Sequence, residues 1–299
     1  VQRKKGKMPA LLSSAFMDDN KDAGKVVSGA EAVMSEVCRI MERINGRKPS
    51  FPRVARQLME RLRPFPERRT NAAAERMGED WWVDCICTWE RFQAALQKAE
   101  KDTGVGADGF PGHLVAKAPE WVQRHYHADL CELLRKREFP EEWKTWLAVL
   151  AMKPGEDPRE VGRRRDLWLM PHSLKMAARM LNFELARAEA AAVPSSNSGF
   201  VERTNACAQT LALQCHREAC HDARRPYLVG FVDAGTYFMS ICKDVQRECE
   251  AWCGVEPAVS EVIQAMQEGL HGRAETAFGL TQRFKMEGTA CGQGHECSP

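Results

Sequence analysis

Apolar positions recur at helical spacing along most of the chain. Residues 30–45 and 54–63 carry such stripes, and Trp89, Phe92 and Leu96 mark one face of residues 82–101. Residues 119–137 continue with Trp121, Leu130, Leu133 and Leu134 until Pro140, whose missing N–H ends a helix. Helices are further expected over 172–192, which Pro194 stops, and over 203–222, 243–253 and 258–270. Two stretches break this period. WLAVLAM (Trp146–Met152) and YLVGFV (Tyr227–Val232) are continuous apolar runs of strand length, the pattern of strands buried on both faces. Beyond Arg273 short strands and a loop are expected. Many helices around a few scattered strands predict an α+β fold. Three regions follow: 1–75, punctuated by Pro49, Pro52, Pro64 and Pro66, then 76–226, then 227–299.

Composition narrows the class. A hydrophobic fraction of 44% and a charged fraction of 28% are ordinary for a soluble globular chain. The longest apolar run is far too short to cross a bilayer, so no membrane association is expected. The N-terminal VQRKKGK is charged and leads into no secretory signal, which points to an intracellular protein, nuclear or cytoplasmic. Its twelve cysteines then read as free thiols. His216 and Cys220 share a helix face, but a structural zinc site would need a second pair, for example Cys249 and Cys253. Charge is uneven. Residues 1–70 hold 16 of the 43 Lys and Arg but only 8 of the 41 Asp and Glu. A basic arm on a mildly acidic body fits either a polyanionic partner or a solvated leader.

The stretch GVGADGF fits G-x-G-x-x-G at Gly104, Gly106 and Gly109. A dinucleotide fingerprint needs a strand before the first glycine and a helix opening at the last. Here a helical pattern precedes it, and Pro111 holds Phe110 extended. The glycines are therefore read as a loop between helices.

The same loop, GADGFPGHLV, resembles the G-x-D-G-[IF] segment of reverse transcriptases of the non-LTR retrotransposon and group II intron type. Further matches follow in the family's order. FPEEW with Lys144 resembles F-P-x-x-W-K, and AVLAMKPGEDP resembles V-x-x-x-x-K-P-G-x-D-P. Arg165-Asp166-Leu167-Trp168-Leu169 stands where the family has R-P-I-x-L, with Lys175 ten residues on. NSGF (Asn197–Phe200) resembles Q-S-G-F. YLVGFVDAGTYF matches the strand that carries the first catalytic aspartate, and GQGHECSP resembles R-Q-G-x-x-x-S-P. Asp166 in place of proline and Met239 in place of an acid are departures. The resemblance spans roughly residues 90–299.

What it implies is RNA-templated DNA synthesis by two-metal nucleotidyl transfer, with residues 76–226 as fingers and 227–299 as a partial palm. The ions would be Mg²⁺ or Mn²⁺; hard cations take carboxylate oxygens. Asp233 would be a catalytic metal ligand, helped by the backbone carbonyl of Ala234. Alone, an Asp after a strand serves equally as a turn or helix N-cap residue. Lys153 and Arg165 would meet the triphosphate, although a surface basic cluster with Arg163 and Arg164 gives the same pattern. Phe238 would exclude a ribose 2′-hydroxyl, or else pack in the core. Gln293 and Gly294 would line the nucleotide pocket. The partners would be an RNA template, a DNA primer and deoxynucleoside triphosphates.

The family's other two aspartates lie in a [YF]-x-D-D hairpin after the Q-G-x-x-x-S-P segment. The chain is accordingly read as a fragment, inactive as a polymerase. A non-catalytic nucleic-acid-binding relic and an unrelated helical interaction protein are the other readings. If residues 1–75 grip RNA, they do so through phosphates. Affinity measured by filter binding should then fall at least tenfold between about 50 and 200 mM salt; salt-insensitive binding would count against it.

Overall fold

The structure is a computed structural model that describes residues 14–16, 26–45, 81–100, 104–157, 159–192, 206–231, 241 and 243–286. A short hairpin comes first, β1 (Ser14–Phe16) with β2 (Val26–Ser28), followed by α1 (Ala30–Asn45). Next come α2 (Trp81–Ile86), α3 (Trp89–Glu100), α4 (His113–Ala116) and α5 (Glu120–Lys136). The hairpin β3 (Thr145–Ala151) and β4 (Arg165–Leu169) leads into α6 (His172–Ala192) and α7 (Ala206–Asp222). The last elements are α8 (Lys243–Cys253), α9 (Pro257–Gln267), β5 (His271–Thr276), β6 (Gly279–Leu280) and β7 (Phe284–Lys285). This helix-rich chain with one small mixed sheet has the expected α+β class.

Helix α6 organises the helices. Leu174, Met176, Ala177, Ala178, Met180 and Leu181 are all buried, and so is Arg179. Together they cover every side of the helix, so this stretch must be enclosed by other elements. α2, α3, α5, α8 and α9 all pack on it. The alanines let neighbouring backbones approach, while Trp82, Phe92, Leu130 and Leu134 fill the space between.

The main sheet runs β4-β3-β5-β6, with β7 also on β5. β3 is antiparallel to β4 and parallel to β5. β6 and β7 are one returning arm interrupted by a bulge, since Thr276 faces Gly279 but Gly272 faces Phe284. At the interruption, buried Thr281 mends the ladder: its hydroxyl accepts the Ala274 N–H at 2.9 Å. One face of the sheet, carrying Ala148, Leu150, Trp168 and Ala274, is buried, and Trp168 meets Phe284 edge-on at 6.2 Å. α1 packs against β5 and β7 with Val33, Val37, Ile40 and Met41.

Most expected elements stand within a residue or two of their places; helix 54–63 lies outside the described residues. Three differ. The helix expected over 82–101 is two helices, because Thr88 interrupts it and accepts the Arg91 N–H on its own hydroxyl at 3.4 Å. The helix from 258 stops at Gln267 rather than 270, and Leu270 turns into β5. The third is a correction: residues 227–231 of the expected strand are not in a strand. Leu228 is 96% and Phe231 88% exposed, so no neighbouring strand or helix covers them among the described residues.

α8 and α9 are joined by a polar network. The buried Glu250 carboxylate accepts from the Ser260 hydroxyl and from Gln246 Nε2 at 2.7 Å, and Gln267 Nε2 donates to Gln246 at 3.2 Å. Burial pushes the Glu250 carboxyl above its ordinary range, partly offset by the Ser260 and Gln246 hydrogen bonds and by Arg247. A raised folded value means that this group's contribution is fully present below the unfolded value and is lost as pH rises through the folded one. Glu250→Gln, whose amide can still meet Ser260 and Gln246, should melt higher than the parent at about pH 8, with the gap closing near about pH 3. A gap independent of pH in thermal melts would contradict this.

Candidate functional site

The β3–β4 hairpin gathers a dense set of cations. Ala151 pairs with Arg165 at the open end of the ladder, and Lys153 lies two residues beyond. The chain leaves β3 through Lys153-Pro154-Gly155-Glu156, closed by the Glu156 N–H on the Lys153 carbonyl at 3.3 Å. Proline fixes the second position, and Gly155 takes the positive φ of 83° at the third, as a type II turn needs.

Most charges in this connection are used within it. Asp157 accepts from the Arg159 backbone N–H at 2.8 Å and from its guanidinium at 2.7 and 3.0 Å. These bonds hold the Asp157 carboxyl down at about 2. Arg163 bridges Glu156 at 3.0 Å and Glu160 at 2.5 Å. Arg164 is buried and donates to the Leu150 carbonyl at 2.9 Å; burial lowers its guanidinium from the ordinary value. Lys153 and Arg165 are different: both are exposed, and neither has a carboxylate partner among the described residues. The mouth of the hairpin therefore offers two cations whose donors face water, the arrangement that binds an anion.

Asp166 adjoins them. It lies opposite Leu150 on the face that carries Trp168, and its carboxylate accepts the Trp168 indole N–H at 3.2 Å. Burial raises the Asp166 carboxyl; its hydrogen bonds and the charge of Lys153 oppose that shift.

The GADGF loop is locked to the other end of β4. A side chain on Gly106 would collide with the Met170 carbonyl and Pro171, and one on Gly112 with the His172 ring. These glycines allow close packing against residues 170–172, which is why the loop needs no phosphate to explain them. Asp108 makes the joint. One carboxylate oxygen accepts the Phe110 N–H at 3.3 Å; the other accepts the N–H of His172, the first residue of α6, at 3.1 Å. The His172 ring lies between Phe110 at 5.6 Å and Tyr126 at 6.3 Å, and Tyr126 donates to Ser173 Oγ at 2.8 Å. Burial pushes the Tyr126 phenol to about 12. FPEEW stands beside the start of β3: Phe139 is buried, its ring 6.3 Å from that of Trp143.

Of the residues expected at the site, Lys153 and Arg165 are brought to one hairpin mouth. Asp233, Ala234, Phe238, Gln293 and Gly294 lie outside the described residues, as do Asn197–Phe200. His216 and Cys220 do face each other on α7 at 3.8 Å, but among the described residues no three His, Cys, Asp or Glu side chains gather to hold a metal ion. Nor is any described helix long and apolar enough to cross a membrane. The roles of Asp108 and Asp166 were not read from the sequence. The signal for Asp166 was present, as an acid on the Trp168 side of the alternating RDLWL strand.

No family model matches the chain, and no curated protein matches it.

Asp108→Ala removes the acceptor at the start of α6. It should cost about 1 kcal/mol, seen as a melting temperature a few degrees lower. Asp108→Asn, which keeps an oxygen there, should recover most of the loss; no recovery would mean that the hydrogen bond is not the joint.

Proposed function

We propose that the chain forms the fingers and part of the palm of a retroelement reverse transcriptase, which in the complete protein copies RNA into DNA. The observation that carries this reading is a convergence. GADGF (106–110) is joined to the start of α6, while FPEEW, KPGED and the Arg165 strand, neighbours within residues 139–169, form the hairpin and its approach. Their order in the chain matches the family's, and the two basic positions matched to its triphosphate contacts are exposed and have no carboxylate partner among the described residues.

Lys153 and Arg165 would hold the triphosphate of an incoming nucleotide, Arg165 through a planar two-pronged contact and Lys153 as a point charge. The rigid ladder beneath fixes their spacing. Asp233 and Ala234 would hold a magnesium ion, which supplies charge neutralisation when bound.

One observation favours the second reading, a nucleic-acid-binding relic without catalysis: residues 227–231, which should lead to Asp233 in a strand, form none. Asp166 and Met239 add to it.

Titration of the 299-residue chain with a deoxynucleoside triphosphate tests the first reading. Alanine at both Lys153 and Arg165 should weaken binding about tenfold or more, the loss expected for two charge-assisted contacts. Affinity unchanged by the double substitution would remove the hairpin from the site.

A further inference from the structure

Helix α7 and the segment that follows it are poorly covered. From Cys207 to Asp222 every side chain is exposed except Gln209 and Cys220, and no other described helix or strand packs broadly on this helix. Helices in proteins draw most of their stability from a packed face, and α7 lacks one. The chain leaves it with the Arg225 N–H on the Cys220 carbonyl at 2.8 Å. Tyr227 folds back, its hydroxyl on the Leu213 carbonyl at 3.3 Å and its ring beside His216. Residues 227–230 then alternate as a strand does: Tyr227 and Val229 are half-buried, Leu228 and Gly230 exposed. Phe231 belongs on the Tyr227 side by the same period, yet it is 88% exposed. No backbone N–H or carbonyl of 227–231 has a hydrogen-bond partner among the described residues.

The stretch YLVGF holds no charge and no proline, so it offers a full row of ladder donors and acceptors. Its order is self-complementary. Antiparallel pairing about Val229 sets Tyr227 opposite Phe231, Leu228 opposite Gly230 and Val229 opposite itself. The first is an aromatic pair and the second a large side chain over a small one. Charge selects this orientation. In a parallel pair Arg224 and Arg225 would each stand about 4.8 Å from their counterparts. In the antiparallel pair the two Arg225 residues lie four positions before the centre on opposite sides, about 27 Å apart, beyond the screening length of about 10 Å.

We propose that residues 227–231 are a homodimer interface, where two copies of this chain pair these segments antiparallel about Val229. Residues opposite each other in such a ribbon share a face, so both α7 helices lie on the same side of it. Phe231 of one copy then sits beside Tyr227 of the other, next to the exposed Leu213 of α7. This interface makes no use of Lys153 or Arg165 and stands apart from the proposed nucleotide site.

Sedimentation velocity of the 299-residue chain at low salt tests the pairing. A short ribbon with one helix on each side is at the small end of specific interfaces, so monomers near about 1 µM should become dimers toward about 100 µM. Val229→Lys sets two ammonium groups against each other at the centre, and Val229→Glu does the same with carboxylates. Each alone should weaken dimerisation about tenfold or more, and an equimolar mixture of the two should restore a dimer. Phe231→Ser removes both aromatic pairs without adding charge and should also weaken it. Both positions lie outside every helix and strand, and circular dichroism checks that each variant keeps the parent fold.

A parent that stays monomeric through the whole range overturns the proposal. So does a lysine variant that dimerises like the parent, which would put the interface elsewhere. A mixture of the lysine and glutamate variants that stays monomeric would rule out pairing centred on Val229, and growth into large species with no dimer would mean open stacking. Hydrogen exchange separates the other occupants. Amides 227–231 should gain protection with protein concentration alone; protection that needs single-stranded RNA or anionic lipid vesicles would assign the segment to that partner instead.

Discussion

Five helices of the described fold, α2, α3, α5, α8 and α9, are organised by the need to enclose residues 174–181 of α6. Leu174, Met176 and the run Ala177–Leu181 leave no side of that segment for water. A helix of this kind is stable only inside a shell, and the shell is recruited from distant parts of the chain: α2, α3 and α5 before it, α8 and α9 after it. Burial of a large apolar side chain contributes roughly 1.5–3 kcal/mol, so this segment alone outweighs any single surface ion pair in the molecule. The first residue of the same helix receives the Asp108 carboxylate, and the strand leading into it is β4. The buried axis thereby fixes the position of the hairpin mouth.

At that mouth the distribution of charge matters more than its amount. The connection between β3 and β4 is rich in arginine, yet Arg159, Arg163 and Arg164 are spent on Asp157, Glu156, Glu160 and the Leu150 carbonyl. These contacts rigidify the turn and leave Lys153 and Arg165 facing solvent. A basic cluster read from sequence is thus divided into a structural part and an available part, a division that only side-chain geometry can make.

The segment 227–231 shows the opposite relation. Its apolar run has the length and composition of a buried strand, but a strand exists only when neighbours supply a hydrogen-bonded ladder and a surface to cover its side chains. Among the described residues none does, and Leu228 and Phe231 face water. Tyr227 instead follows α7, its hydroxyl on the Leu213 carbonyl at 3.3 Å and its ring against His216.

By itself the sequence determined the α+β class, the helices 30–45, 120–136, 172–192 and 243–253, and the strand 145–151. Each follows from local periodicity, proline breaks and turn chemistry, which act over a few residues. It also determined that GVGADGF is a loop between helices. Only tertiary structure decided the parallel pairing of β3 with β5, the unpaired state of 227–231, and which cations remain available. Those outcomes depend on partners more than a hundred residues away, or on which acid reaches a given arginine first. Long-range burial and side-chain pairing set them, and no local pattern encodes either.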